Sequence, residues 1–263
     1  MVFIKSQFYK EKGVLVTNLK LNPELNFQGV ILDFETTSYD TAEGKIICVG
    51  VLSEREAVSI VRTSKAKEEY FHNLIRDLIK SYLKKGYKLY AYNSPFEEKW
   101  LKEHLGLKVK VEEIMKPAKE ITYLLRDKFG KHKYPKLREL IHPRLFSYFG
   151  FEKWDIDSQE VGKLWEQHLE TNDINPLEWI AQHNLLDLLT EFELLTIWNP
   201  FMEKFLNNPS LVEEKSTLKC SKCNKEKPIE ELAVVTYPER KPEGNFRFVE
   251  KLICKDCLDI KKG

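Results

Sequence analysis

The sequence predicts an α/β domain built on a mixed sheet flanked by helices, with a small cysteine-bound module at its C-terminus. Three observations predict it. Strand-length apolar runs follow one another from Val30 to Arg62 with short links between them, the pattern of an antiparallel meander. The period then changes, with Tyr70, Phe71, Leu74, Ile75, Leu78, Ile79 and Leu83 recurring at helical spacing before another strand-length run. A crossover helix of this kind returns the chain to a strand parallel to one already laid down. Finally, four of the five cysteines fall in the last 44 residues as two C-x-x-C pairs.

In chain order, residues 1–28 carry the bursts Val14-Leu15-Val16 and Leu19 to Leu21, a strand or hairpin leading into the sheet. The first sheet strand covers about residues 29–34, the second Lys45 to Leu52, the third Ala57 to Arg62. Cys48 sits inside the second and reads as a core thiol. The helix from Glu68 closes at Gly86, Tyr87 to Tyr92 forms the fourth strand, and Pro95 starts a helix to about Leu105. Val109 to Met115 suits a short strand and Ala118 to Phe129 a helix. Asp157-Ser158-Gln159-Glu160 is a capping box opening a helix through Leu169. Asn175-Pro176, with Glu178 in the first turn, opens a last large helix reaching about Trp198. The expected organisation is an N-terminal extension (1–28), a main domain (29–206), a linker (207–217) and the cysteine module (218–263).

Composition bounds the function. With 42% hydrophobic and 32% charged residues, the chain has the balance of a globular protein. No apolar run approaches the roughly 18 residues that span a bilayer. Met1-Val2-Phe3-Ile4-Lys5 is too brief to be a signal peptide, so a cytoplasmic protein without membrane contact is expected. A net charge of +1 gives no global basic field. Charge is local instead: residues 126–144 hold seven Lys/Arg against two acids, and residues 218–263 hold eleven against eight.

The chemistry begins at Val30-Ile31-Leu32-Asp33-Phe34-Glu35-Thr36-Thr37. In a strand, alternate residues share a face, so Asp33 and Glu35 project together while Leu32 and Phe34 enter the core. Two acids on one face repel and lose solvation, and a divalent cation offsets both costs; a solvated strand end fits the same residues. Downstream, Pro95 in a first helical turn puts Glu97 at a helix N-terminus beside a strand end, where the helix dipole favours a carboxylate. If the fourth strand lies beside the first, Glu97 reaches Asp33 and Glu35. On the last large helix, His183 and Asp187 stand four residues apart on one face, among Leu185, Leu186, Leu188 and Leu189.

In this order the motifs resemble the DEDD superfamily of 3′–5′ exonucleases, whose fold is RNase H-like. The D-x-E motif is similar to Asp33-Phe34-Glu35, the N-x-x-(F/Y)-D motif to Asn93-Ser94-Pro95-Phe96-Glu97, and the third motif to His183 through Asp187. Within the superfamily the chain looks most like the YprB-type predicted nucleases, through Asp155-Ile156-Asp157, the helix to Leu164-Trp165, and His183-Asn184-Leu185-Leu186-Asp187. The likeness covers about residues 28–200. It departs from the family at Glu97, where an Asp is usual, and at His183, which has the spacing of the tyrosine subclass.

The resemblance implies a nuclease with two Mg²⁺ or Mn²⁺ ions held by Asp33, Glu35, Glu97 and Asp187, and Asp33 bridging both. His183 would serve as general base, since histidine exchanges a proton near neutral pH. Thr36 and Asn93 would face the nucleic acid. The basic segment is interleaved with Phe129, His132 and Tyr134, and its Lys131, Lys133, Lys136 and Arg138 suit a single strand of DNA or RNA through phosphate contact and base stacking; a solvated loop fits equally. Two rival functions share the fold: an inactive nucleic-acid-binding or adaptor protein, and a structure-selective endonuclease.

The C-terminal pairs Cys220-x-x-Cys223 and Cys254-x-x-Cys257 are separated by thirty residues. Four thiolates make a closed tetrahedral Zn²⁺ site with no position left for water, hence a structural zinc ribbon. A module this small folds with its metal. Its lysines and Phe246, Arg247 and Phe248 suit nucleic acid or a protein partner.

Overall fold

The computed structural model describes residues 3–21, 27–121, 137, 158–207, 217–228, 231–240 and 246–258. The chain divides into two compact units, Met1–Met202 and Glu203–Gly263.

The larger unit is built on a sheet of seven strands among the described residues: β1 (Phe3–Tyr9), β2 (Val14–Lys20), β3 (Gly29–Thr36), β4 (Ile46–Leu52), β5 (Glu56–Arg62), β6 (Lys88–Ala91) and β7 (Val111–Glu113). Their spatial order is β1-β2-β5-β4-β3-β6-β7. The meander is as expected, with β3, β4 and β5 antiparallel neighbours. Helix α1 (Glu68–Lys84) then carries the chain over one face, and β6 enters parallel to β3, with β7 parallel to β6 beyond it. Parallel and antiparallel strands thus meet at β3, in an RNase H-like mixed sheet flanked by helices.

The N-terminal hairpin does more than lead into the sheet. Its second strand pairs antiparallel with β5 along the whole of Val14–Lys20, extending the sheet past the meander. Gly13 makes the hairpin turn possible: its φ is +64°, and a Cβ there would meet the Ala66 backbone at 2.8 Å.

β4 is buried at every position, which its unbroken apolar run requires once both sheet faces are covered. On one face, Val30, Leu32 and Phe34 of β3 pack with Phe71, Ile75 and Ile79 of α1 and with Trp100 and Leu101 of α2 (Ser94–Glu103). On the other, Ile31 meets Leu185, Leu186 and Leu188 of α4 (Asn175–Glu193), while Ile47 and Cys48 meet Leu177, Ile180 and Ala181 of the same helix. Helix α3 (Ser158–Thr171) adds Val161 and Trp165 to that second cluster. Its His168, 2% exposed, ties α3 down: Ser64 N–H donates to Nε2 at 3.0 Å, and Nδ1 donates to the Asp173 carbonyl at 2.6 Å.

The last large helix does not run uniformly to Trp198. It widens to a π turn over Leu194–Trp198 before α5 (Asn199–Leu206). Such a turn re-aims the residues that follow, and Asn199, just beyond it, donates to the Ile114 carbonyl at 2.8 Å. Of the helix expected over Ala118 to Phe129, the described part is helical, from 116 to 121; its remainder and Asp155, Ile156 and Asp157 lie outside the described residues. No described helix is long and apolar enough to cross a membrane.

The smaller unit contains two antiparallel pairs, β8 (Thr217–Lys219) with β9 (Glu226–Pro228) and β10 (Leu232–Arg240) with β11 (Phe246–Cys254), then the single turn α6 (Lys255–Leu258). This is the layout of a zinc ribbon.

Candidate metal centre

β3 sets the site. Its core-facing residues leave Asp33 and Glu35 on the face toward α4, as period-2 alternation requires. A register shift between Glu35 and Thr36 ends the regular ladder with β4 at this point. Glu35 is across from Cys48, a buried thiol 3.1 Å from the Ser59 hydroxyl.

From the other side, α4 presents His183 and Asp187 one turn apart. His183 Nε2 stands 3.6 Å from Glu35 Oε1 and 3.4 Å from Asp187 Oδ2. The ligand atoms of Glu35, His183 and Asp187 all lie within 4.8 Å of one another. Two ionised carboxylates at that separation repel by about 3 kcal/mol at an effective dielectric of about 20.

Asn184, quoted in the third motif but given no role there, turns out to be the contact between helix and strand. Its Nδ2 donates to Asp33 Oδ2 at 2.6 Å and lies 3.5 Å from the Asp33 carbonyl. The amide is fully buried and reaches this position over Gly50, the cross-strand neighbour of Asp33. A Cβ on Gly50 would come within 2.2 Å of Asn184 Oδ1.

Glu97 enters from the third direction. β6 does lie beside β3, and Pro95 occupies the first turn of α2, so Glu97 turns inward and is 4% exposed. The adjacent acid separates from it: Glu98 accepts the Val111 N–H at 2.8 Å and caps the start of β7.

A fifth acid, Glu191, joins the site from outside the three sequence motifs. It is one turn beyond Asp187 on α4, 1% exposed, and accepts a backbone hydrogen bond from Tyr92 at the end of β6. The signal was a face continuing at four-residue intervals, 183–187–191, but a glutamate late in a long helix ordinarily faces water.

The electrostatics follow from this crowding. Burial, then the charges of Glu35 and Asp187, push the Asp33 carboxyl well above the usual carboxylate range, against the pull of His183 and the Asn184 amide. Burial and Asp187 push Glu35 up to about 8. Glu97 is raised by burial and by Asp33, and Glu191 by burial and by Asp33, Glu97 and Asp187. One oxygen of Glu97 and one of Glu191 are buried without a hydrogen-bond partner. Unpartnered buried carboxylate oxygens are costly unless a proton or a cation meets them. An all-carboxylate set with one imidazole is the donor chemistry of Mg²⁺ or Mn²⁺, so the residues fit such ions.

The remaining expected residues are at the rim or unassigned. Thr36 donates to the Ser38 carbonyl at 2.8 Å and Asn93 is exposed at the start of α2. Lys131, Lys133, Lys136 and Arg138 lie outside the described residues.

In the smaller unit, Cys220, Cys223, Cys254 and Cys257 bring their sulfurs within 4.8 Å of one another, as a zinc site requires. Burial would raise the Cys220 thiol, but N–H groups of Cys254, Cys223 and Lys222 outweigh it and hold the thiol down to about 6. A sulfur so placed is ready to bind metal as thiolate.

A family model described as RNase_H superfamily matches residues 30–199, more than half of the chain. The matched span contains all five acids and omits the N-terminal hairpin and the cysteine unit. No curated protein matches.

Proposed function

The chain belongs to the RNase H superfamily, and from that premise we propose that it is a metal-dependent nuclease of the DEDD type, related to the YprB-like group, removing nucleotides from the 3′ end of single-stranded DNA or RNA. The superfamily supports a nuclease-type function. The observation that carries the finer reading is the convergence, on one spot of the sheet, of acids from three distant segments: β3, the start of α2, and α4.

Asp33, Glu35, Glu97 and Asp187 would hold two Mg²⁺ or Mn²⁺ ions, whose positive charge stabilises the charge that develops on the phosphodiester and its leaving 3′ oxygen. The chain's own residues do the rest. Asn184 fixes the Asp33 carboxylate in one orientation. Asp33 interacts with the charges of Glu35 and Asp187 and also with those of Glu97 and Glu191, which suits a carboxylate shared between two positions. Hydrolysis adds water across the P–O3′ bond and needs a base for the water proton. His183 Nε2 would take it, and Glu35 and Asp187, with oxygens 3.6 and 3.4 Å from that nitrogen, would stabilise the imidazolium so formed. Thr36 and Asn93 at the rim, with the lysines of 126–144, would track the strand. In the C-terminal unit the four cysteines would hold one structural Zn²⁺, leaving the ribbon surface for nucleic acid or a protein partner.

The test is degradation of 3′- and 5′-labelled single strands, DNA and RNA, with Mn²⁺, Mg²⁺ or chelator, beside Asp33→Ala. Stepwise loss from the 3′ end that needs both metal and Asp33 is expected. Cutting of 3′-blocked strands would make it an endonuclease. Tight binding without cleavage, or undiminished activity of Asp33→Ala, would overturn the enzymatic reading.

A further inference from the structure

We infer that Glu191 is a fifth metal-holding carboxylate, pairing with Glu97 to form the second of two divalent-cation positions that share Asp33. The inference rests on the nuclease reading above and deepens it, since the four-acid pattern of the sequence contains no such residue.

The acids are not one undivided cluster. Glu35, His183 and Asp187 form a tight group with ligand atoms within 4.8 Å of one another. Glu97 and Glu191 stand outside that group, yet each has Asp33 as its strongest charged neighbour, and Glu97 is the next strongest for Glu191. Asp33 itself feels Glu35 and Asp187. Asp33 is thus the acid that both sets share as a charged neighbour.

Burial makes the second position a demand and not an accident of surface acidity. Glu97 is 4% and Glu191 1% exposed, and each leaves one carboxylate oxygen without a hydrogen-bond partner. The Tyr92 backbone hydrogen bond ties Glu191 to the end of β6, the strand that leads into α2 and Glu97. Two neighbouring carboxylates this deeply buried are stable when a cation meets their free oxygens, or when they share a proton. A shared proton would leave Glu191 a structural residue with no part in metal binding, and the two cases separate by experiment.

The full chain, loaded with zinc in its cysteine unit, is titrated with Mn²⁺ near pH 7.5 by calorimetry and by electron paramagnetic resonance. Wild type is expected to bind two Mn²⁺. Glu191→Gln, which keeps shape and removes charge, is expected to weaken one of them about tenfold or more and leave the other unchanged. Glu191→Asp should recover part of the loss, and Glu35→Gln should weaken the opposite ion. Far-UV and near-UV circular dichroism of each variant confirms folding. Two Mn²⁺ bound by Glu191→Gln with wild-type affinity would overturn this inference alone. Failure of wild type to bind any Mn²⁺ would overturn it together with the nuclease reading.

Discussion

The side-chain amide of Asn184 occupies the space that any side chain on residue 50 would fill, 2.2 Å from where the Cβ would be. Through that space Asn184 reaches the Asp33 carboxylate at 2.6 Å. A missing side chain on β4 is thus part of how an acid on β3 is held. Gly50→Ala should expel the amide, lower stability by about 1–3 kcal/mol as an overpacked core does, and cut metal-dependent cleavage sharply. Adding Asn184→Ala to it should restore stability but not cleavage, the two changes being coupled. Thermal melts and single-turnover rates of the four proteins check this. Additive effects on stability would show that the two residues do not compete for one space.

Replacing His183 should separate proton transfer from metal binding. His183→Ala is expected to slow cleavage by about 10²–10⁴-fold, the range for loss of a general base. Because carboxylates supply most of the ligand set, Mn²⁺ affinity should change far less. A rate that rises again with pH as hydroxide replaces the base would support the assignment; loss of Mn²⁺ binding in proportion to rate would make His183 a ligand instead.

The metal-free protein should lose stability as pH rises. Glu35 has a folded-state pKa of about 8 against an ordinary 4.5. Between those values the folded state binds more protons than the unfolded one, so stability is greatest below about 4.5 for this group and falls as pH climbs toward 8. Asp33, Glu97 and Glu191 are shifted in the same direction and add to the slope. With chelator present, the melting temperature of the larger unit should drop by several degrees between pH 6 and pH 8. Mn²⁺ should restore it at pH 8 and release protons on binding. A flat profile would mean that the acids ionise without penalty.

Removing zinc should dismantle the cysteine unit. Among the described residues its buried cluster is Cys220, Cys254, Cys257 and Ile253, with Cys223 and Leu232 against it, a core dominated by the four thiols that would hold the metal. Cys254→Ser or a strong chelator is expected to abolish its cooperative melting and expose its amides to hydrogen exchange. Persistence of its protection without metal would overturn a structural role for zinc.

Residues 29–106 were legible because their signals are local. Alternation put Asp33 and Glu35 on one face, and helical spacing and Gly86 delimited α1. Pro95 fixed the start of α2 within a residue, and the four-residue spacing put His183 with Asp187 on one side of α4. What the sequence hid is non-local. The pairing of β2 with β5 joins residues from 36 (Lys20 with Glu56) to 48 (Val14 with Arg62) positions apart and leaves no mark on either strand. Gly50 reads as a weak spot in a strand until α4 is laid across it. Glu191 reads as an ordinary helical glutamate until its burial is known, and the π turn after it has no propensity signature.

The acids of the site are spread from residue 33 to residue 191. During synthesis the β3 carboxylates therefore emerge from the ribosome long before α4 exists to close over them. Until that helix arrives, Asp33 has no Asn184, Glu35 has no His183, and the carboxylates of Asp187 and Glu191 are missing. The buried carboxylate cluster is accordingly incomplete until nearly three-quarters of the polypeptide has been made.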